Sequence, residues 1–249
     1  MNSFLVGLQF LTRIHISNET VWKDEEFGKS VIWFPVYGWI IGAFMCLIYF
    51  LLKPLDMPYL TAFLIVLGEL FISGGTLADG LMDSSDGLFS GRSRERCLEI
   101  MKDSLIGSFG MLSIIIFINL YTLSLGSIDG LLYPILIAAP VLGRLNLVIS
   151  ICEYPYARPY GMGKAFSAYR PKHAVAMAFV FALLPALYFG FLYVILAGAA
   201  LLLGLYLNRW IVGKIGGTTG DTYGFVNQVT EVFLALLYVL ITRGNVWHM

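Results

Sequence analysis

Apolar residues run along this chain in blocks about twenty residues long, separated by shorter polar stretches. A helix needs roughly 20 mostly apolar residues to cross the core of a bilayer. Seven blocks meet that requirement, at 31–52, 59–77, 105–125, 131–151, 174–189, 191–208 and 225–242. No ten-residue segments alternate as membrane strands do, and open sheet edges are not viable in lipid. The pattern therefore predicts an all-α, polytopic helical bundle of about seven transmembrane helices, forming one integral-membrane domain over 1–249. The fifth and sixth blocks meet at Gly190 with almost no loop between them. Ahead of the first block, Phe4, Leu5, Leu8 and Leu11 share one helical face, with Arg13 and His15 following. No positive residue precedes this run and no small-residue cleavage site follows it. It reads as a short interfacial helix rather than a cleaved leader.

Composition strengthens the reading. The chain is 58% hydrophobic and only 13% charged, with a mean hydropathy of +0.79. Soluble domains carry about 25% charged residues, so a lipid bilayer must cover much of this surface. A formal net charge of zero argues against nucleic acid as a partner. Cys46, Cys97 and Cys152 form no CxxC pair, and His15, His173 and His248 are scattered, so neither a disulfide framework nor a zinc site is indicated.

The cations set the orientation. With the N-terminus cytoplasmic, thirteen lysines and arginines fall in cytoplasmic segments and only Lys53 and Arg243 on the far side, with Arg144 inside a span. That asymmetry follows the positive-inside rule. It predicts a multi-pass protein of the cell (inner) membrane, every long polar loop facing the cytoplasm.

One such stretch concentrates acid. Asp79, Asp83 and Asp86 stand at i, i+4 and i+7, which on a helix places three carboxylates in one stripe. Two carboxylates about 5 Å apart repel by roughly 3 kcal/mol at an effective dielectric near 20. A hard divalent cation relieves that repulsion, and Mg²⁺ shared with substrate phosphates fits oxygen ligands best. Gly87 and the Ser90-Gly91 pair are expected to end this helix. A second would follow, with Glu95, Glu99 and Asp103 at i, i+4 and i+8. Arg92, Arg94 and Arg96 lie nearby, suited to bidentate phosphate contacts. Together these features point to metal-assisted phosphoryl transfer. The second helix equally suits a solvated face with local pairs such as Arg96 with Glu99.

Two glycine-bearing loops add candidates. Lys214-Ile-Gly216-Gly217-Thr218-Thr219-Gly220-Asp221-Thr222 offers backbone amides and hydroxyls to phosphate, although its lysine precedes the glycines and it is not a Walker A loop. The same residues suit a turn in which Asp221 or Thr222 caps the last helix. Tyr156-Ala-Arg158-Pro-Tyr-Gly161-Met-Gly163-Lys164 is a second basic loop. Arg144, deep in the fourth span, needs a partner, either Glu69 or Glu231 in an ion pair or a substrate group. Asn119, Asn208, Asn227 and Gln228 read as interhelical hydrogen bonds.

These residues resemble the cobalamin synthase family, also called adenosylcobinamide-GDP ribazoletransferase. The run Asp79-Gly-Leu-Met-Asp83-Ser-Ser-Asp86-Gly is similar to the family's acidic signature. So is Leu98-Glu99-Ile-Met-Lys102-Asp103-Ser to its second signature. Resemblance continues through Gln9-Phe-Leu-Thr12-Arg13, Phe34-Pro35, Tyr156-Ala-Arg158 and Gly216-Gly217-x-Thr-Gly220-Asp221-Thr222, in order along nearly the whole chain. Leu77 stands where the family commonly has histidine, and Gln228 where it often has glutamate.

The resemblance implies a transferase that joins adenosylcobinamide-GDP to α-ribazole or its 5′-phosphate. The products would be adenosylcobalamin or its 5′-phosphate, with release of GMP, and Mg²⁺ the cofactor. On it, Asp79, Asp83, Asp86, Glu99 and Asp103 are the metal candidates, and Asp103, Asp86 and Arg92 the catalytic ones. Arg13, Arg92, Arg144, Arg158, Lys214, Gly217, Thr219, Gly220 and Asp221 are candidates for substrate binding. Nothing in the pattern excludes an oligomer. A CDP-alcohol phosphotransferase shares Asp-x-x-Asp-Gly, but its intervening stretch is longer and an alanine-arginine pair is missing here. A transporter would place its carboxylates near the midplane in two related halves, and no internal repeat is visible.

Overall fold

The computed structural model describes residues 2–16, 23–159 and 161–244. They form a helical bundle in which five helices are long and apolar enough to cross a membrane, or seven spans if two bent pairs each count as one. In chain order the first helices are α1 (Ser3–Leu11), α2 (Asp24–Lys29), α3 (Phe34–Leu52), α4 (Pro58–Ile72), α5 (Thr76–Leu88), α6 (Arg94–Ile100) and α7 (Ser108–Gly126). They are followed by α8 (Tyr133–Glu153), α9 (Met162–Tyr169), α10 (Ala174–Leu183), α11 (Ala186–Phe189), α12 (Phe191–Ile215) and α13 (Gly220–Gly244).

The centre is α8. Its span is 89% buried, against 28% for α7, so α7 faces lipid while α8 is wrapped by α3, α10, α12 and α13. The apolar blocks thus divide into one all-round buried helix and a ring of helices with one lipid face. In the N-terminal segment, α1 packs on α2 and α3, burying Val6, Leu8 and Leu11 and receiving the Tyr37 hydroxyl on the Phe4 carbonyl.

The expected blocks at 59–77 and 174–189 are not continuous helices. The first breaks after Ile72, where Gly74 and Gly75 take φ of 72° and 75°, and α5 leaves α4 at 93°. L side chains resist that left-handed region, so paired glycines form the elbow. Thirteen residues at a right angle to α4 do not complete a crossing. We read α5 as lying at the polar end of the bundle, outside the spans. The second block is broken at Leu184-Pro185, and Gly163–Tyr169 meets Ala174–Phe189 at 102°. Proline cannot continue the ladder of the preceding turns.

Two boundaries move in ways that affect the site. The helix expected to stop at 208 runs to Ile215, so Lys214 lies in its last turn rather than in a loop. The final helix starts at Gly220, five residues earlier than expected, which puts Gly220 and Asp221 in its first turn. Gly87 does not break α5. It lies inside the helix, where a Cβ would meet the Cys97 carbonyl at 2.9 Å, and so permits α6 to pack closely. The expected stripe from Glu95 to Asp103 is cut short, because α6 ends at Ile100 and Asp103 lies beyond it.

Candidate active site

The site forms where α5 crosses the first turn of α13. A Cβ on Gly80 would stand 2.7 Å from the Asp221 carbonyl oxygen and 3.2 Å from the Gly224 Cα. Only a glycine pair lets these backbones approach so closely. The crossing places Asp79 and Asp221 on the wall of one cavity of about 150 Å³, shared with Thr76, Gly163 and Gly220 and backed by Phe10 and Phe166. Ordinary ligand pockets occupy about 300–1,000 Å³. This one has room for the reacting end of a large substrate and leaves the bulk outside.

Asp83 lies one helical turn beyond Asp79 on the same face. Burial first, then the charges of Asp79, Asp221 and Asp86, push its carboxyl up to about 7, with Arg158 opposing. Asp221, singled out from sequence only as a substrate contact, is therefore part of the acidic cluster. Its Oδ2 lies 2.6 Å from Arg158 Nη2.

That ion pair is built by two loops joined backbone to backbone. The Ala157 N–H donates to the Thr218 carbonyl at 2.8 Å, and the Thr218 N–H to the Pro155 carbonyl at 2.8 Å. A Cβ on Gly217 would stand 2.6 Å from the Pro155 oxygen, so this bridge explains the glycine. Thr219 and Thr222 then cap α13 reciprocally. Thr219 N–H donates to Thr222 Oγ1 at 2.8 Å and Thr222 N–H to Thr219 Oγ1 at 3.2 Å. Both threonines are fully buried; the loop does cap α13, but the capping residue is Thr219, with Thr222 answering from the first turn and Asp221 turned to Arg158. Arg158 Nε has no partner among the described residues, which leaves a donor for an incoming anion.

The remaining candidates are distributed around this core. Asp86 accepts the Gly107 N–H at 2.7 Å and the Gly110 N–H at 2.8 Å. It thus supplies from α5 the N-terminal cap that Gly107 cannot give α7. Glu99 pairs with Arg96 at 2.8 Å, both side chains more than 60% exposed, which is the local alternative named above. Asp103 Oδ1 accepts the Leu105 N–H at 3.1 Å. Lys214 Nζ donates to the Leu88 carbonyl at 2.7 Å and sits over Trp210, tying α12 to the end of α5. Arg13 is fixed by its backbone N–H on the Ile72 carbonyl at 2.7 Å and by its guanidinium over Phe71. It therefore stands at the elbow leading into Asp79. Arg92 is exposed in the turn between α5 and α6.

Arg94, one of the three arginines suited to phosphate, lies against the glycine turn. A Cβ on Gly216 would lie 2.8 Å from its Cζ. Arg144 is fully buried and paired with Glu231 at 3.0 Å, not with Glu69. Leu77 lines the cavity, and Gln228 accepts from Asn227 at 3.0 Å.

Among the described residues, no three His, Cys, Asp or Glu side chains come together as a group that could hold a metal ion by themselves. The donor set still suits Mg²⁺, which characteristically takes one or two carboxylates and completes its shell with water and substrate phosphates. Asp79 and Asp83 provide such a pair.

The chain is 36% identical to the adenosylcobinamide-GDP ribazoletransferase of Clostridium acetobutylicum over 96% of its own length and 97% of the relative's. It is 32% identical to that of Acetivibrio thermocellus, covering 96% and 98%, and 33% identical to that of Brevibacillus brevis, covering 99% and 100%. No solved structure matches it. The cobalamin-5-phosphate synthase family matches residues 3–239, a stretch that takes in the α5–α13 crossing and both bridged loops, and the chain belongs to that family.

Proposed function

We propose that the chain joins adenosylcobinamide-GDP to α-ribazole, or to its 5′-phosphate, giving adenosylcobalamin or its 5′-phosphate and GMP. The protein would act in the cell inner membrane with the α5–α13 crossing facing the cytoplasm. The observation that carries this reading is the convergence of Asp79, Asp83 and Asp221 with Arg158 in a member of this family. Breaking a pyrophosphate needs negative charge managed on both sides of the bond.

Asp79 and Asp83 would hold Mg²⁺, which when bound neutralises charge on the diphosphate and on the departing GMP. Arg158 turns its unspent Nε to a phosphate oxygen while Asp221 fixes its orientation. The N-terminus of α13 at Gly220 adds a partial positive charge facing the same cavity. Arg13 at the elbow, Arg94 over the Gly216 turn and exposed Arg92 supply further cations for the nucleotide side. Asp103 accepts the proton of the attacking ribazole hydroxyl. Asp86 contributes by holding α7 to α5.

The test is release of labelled GMP from adenosylcobinamide-GDP by the purified protein in lipid nanodiscs, with and without α-ribazole. Ribazole-dependent release with formation of a cobalamin is expected. Release from a CDP-alcohol instead, or passage of the corrinoid with no cleavage, would refute the assignment.

A further inference from the structure

Beside the acidic cavity lies a second one, which takes no part in the chemistry above. It holds about 410 Å³, a ligand-sized volume, against about 150 Å³ for the first. Helix α8 ends in its wall with Cys152 and Glu153. The 102° elbow between α9 and α10 brings Arg170 and Lys172 to the same wall. Gly163 and Phe166 line the acidic cavity, whereas Ser167 and Arg170 line this one. Those four stand at i, i+3, i+4 and i+7, on one stripe of α9 and its C-terminal cap. At 1.5 Å per residue the two cavities are offset by about 10 Å along that helix.

The charges here are not spent on one another. Among the described residues Glu153 and Lys172 form no ion pair. Arg170 directs Nη1 to the Ser167 carbonyl at 2.8 Å, which positions the guanidinium without neutralising it. One concave surface thus presents an acceptor-only carboxylate and donor-only cations at separate places. A bare phosphate would be repelled by Glu153, and a bare cation by Arg170 and Lys172. A planar group with donors on one edge and acceptors beside them satisfies both. Guanine is such a group, with donors at N1 and N2 and acceptors at O6 and N7. A carboxylate takes the first pair and an arginine the second, each bidentately. Adenine would turn the N1 lone pair to Glu153 instead.

We propose that this cavity is the subsite for the guanine base of the nucleotide-activated substrate. Glu153 accepts from N1–H and N2–H, and Arg170, assisted by Lys172, donates to O6 and N7. The assignment rests on the reading that the acidic cavity breaks a GDP-linked pyrophosphate. One phosphate and one ribose separate the base from the bond that breaks, a span that suits the offset along α9. The second cavity selects the nucleotide, and the first transfers the phosphoryl group.

Cys152, in the wall, reports occupancy without turnover. In nanodiscs, GMP should slow alkylation of Cys152 by N-ethylmaleimide several-fold, read by peptide mass spectrometry with Cys46 as internal reference. AMP at the same concentration should not, and Glu153→Gln should abolish the protection by GMP. In the transfer assay, wild type should prefer adenosylcobinamide-GDP to its ADP analogue by at least about tenfold in kcat/KM. Glu153→Gln should lose that preference through KM rather than kcat. Equal protection by GMP and AMP, protection by neither, or a Glu153→Gln enzyme that discriminates like wild type would overturn the subsite. GMP-specific protection in a protein that releases no GMP would uphold the subsite and remove the proposed reaction.

Discussion

The first turn and the middle of α13 carry the same chemistry in opposite settings. Near its N-terminus, Asp221 joins Asp79, Asp83 and Arg158 around a cavity, with Asp79 exposed. Ten residues further on, Glu231 pairs with Arg144, and both of these side chains and that of Glu69 are buried. Both groups hold more carboxyls than cations. The outer one can draw its missing positive charge from solution, as a metal ion or a phosphate-bound cation. The inner one has no such supply and must balance its charge internally. Surplus acid therefore suits a cation-binding site at the bundle's mouth, whereas in the core the Arg144–Glu231 pair is closed to solvent.

Substitutions that break the outer cluster should have the largest effect on the reaction and little on the fold. Asp83→Asn removes a carboxylate that Mg²⁺ and the diphosphate would use. GMP release should fall by at least about 1,000-fold, about 4 kcal/mol of barrier at 1.36 kcal/mol per tenfold, with helix content by circular dichroism unchanged. Arg158→Ala should come next, at about 10- to 100-fold in kcat/KM. Arg158→Lys should recover only part of it, since an ammonium lacks the planar fork. Rescue of Arg158→Ala by added guanidinium would sharpen the comparison further.

Asp86→Ala probes a residue whose oxygens are spent on the α7 backbone. Loss of a cap costs about 1–2 kcal/mol, so thermal unfolding should register it more clearly than KM does. The smallest effect belongs to Glu99. Its pair with Arg96 is exposed, and such pairs are worth about 0.2–1 kcal/mol. Glu99→Gln should leave both unfolding and GMP release close to wild type.

Five spans were legible because long apolar runs carry one meaning in any context. The elbow at Gly74-Gly75 was not, since apolar length alone does not show that the chain turns 93° after Ile72. The acidic stripe from Asp79 to Asp86 was readable as helical spacing, and α5 is indeed a helix there. What spacing could not show is that Asp86 spends itself on amides 21 and 24 residues away. Nor could it show that Asp221, 138 residues beyond Asp83, completes the cluster. Asp103 slipped off the expected stripe because α6 stops at Ile100, with Met101 buried against Gly87. Partners that are distant in sequence leave no local periodicity, so the Arg158–Asp221 pair had to be seen in three dimensions, and for Arg144 the depth of the residue called for Glu69 or Glu231 while only the fold selects Glu231.

The most direct test of the account is a Mg²⁺ titration of GMP release in nanodiscs, run in parallel on wild type and Asp83→Asn. Wild-type release should rise from near zero with chelator to a saturating plateau, and the variant should stay flat across the whole range. Full wild-type release with all divalent ions chelated, or a variant that titrates like wild type, would contradict the claim that these carboxylates gather to hold a cation on the substrate's diphosphate.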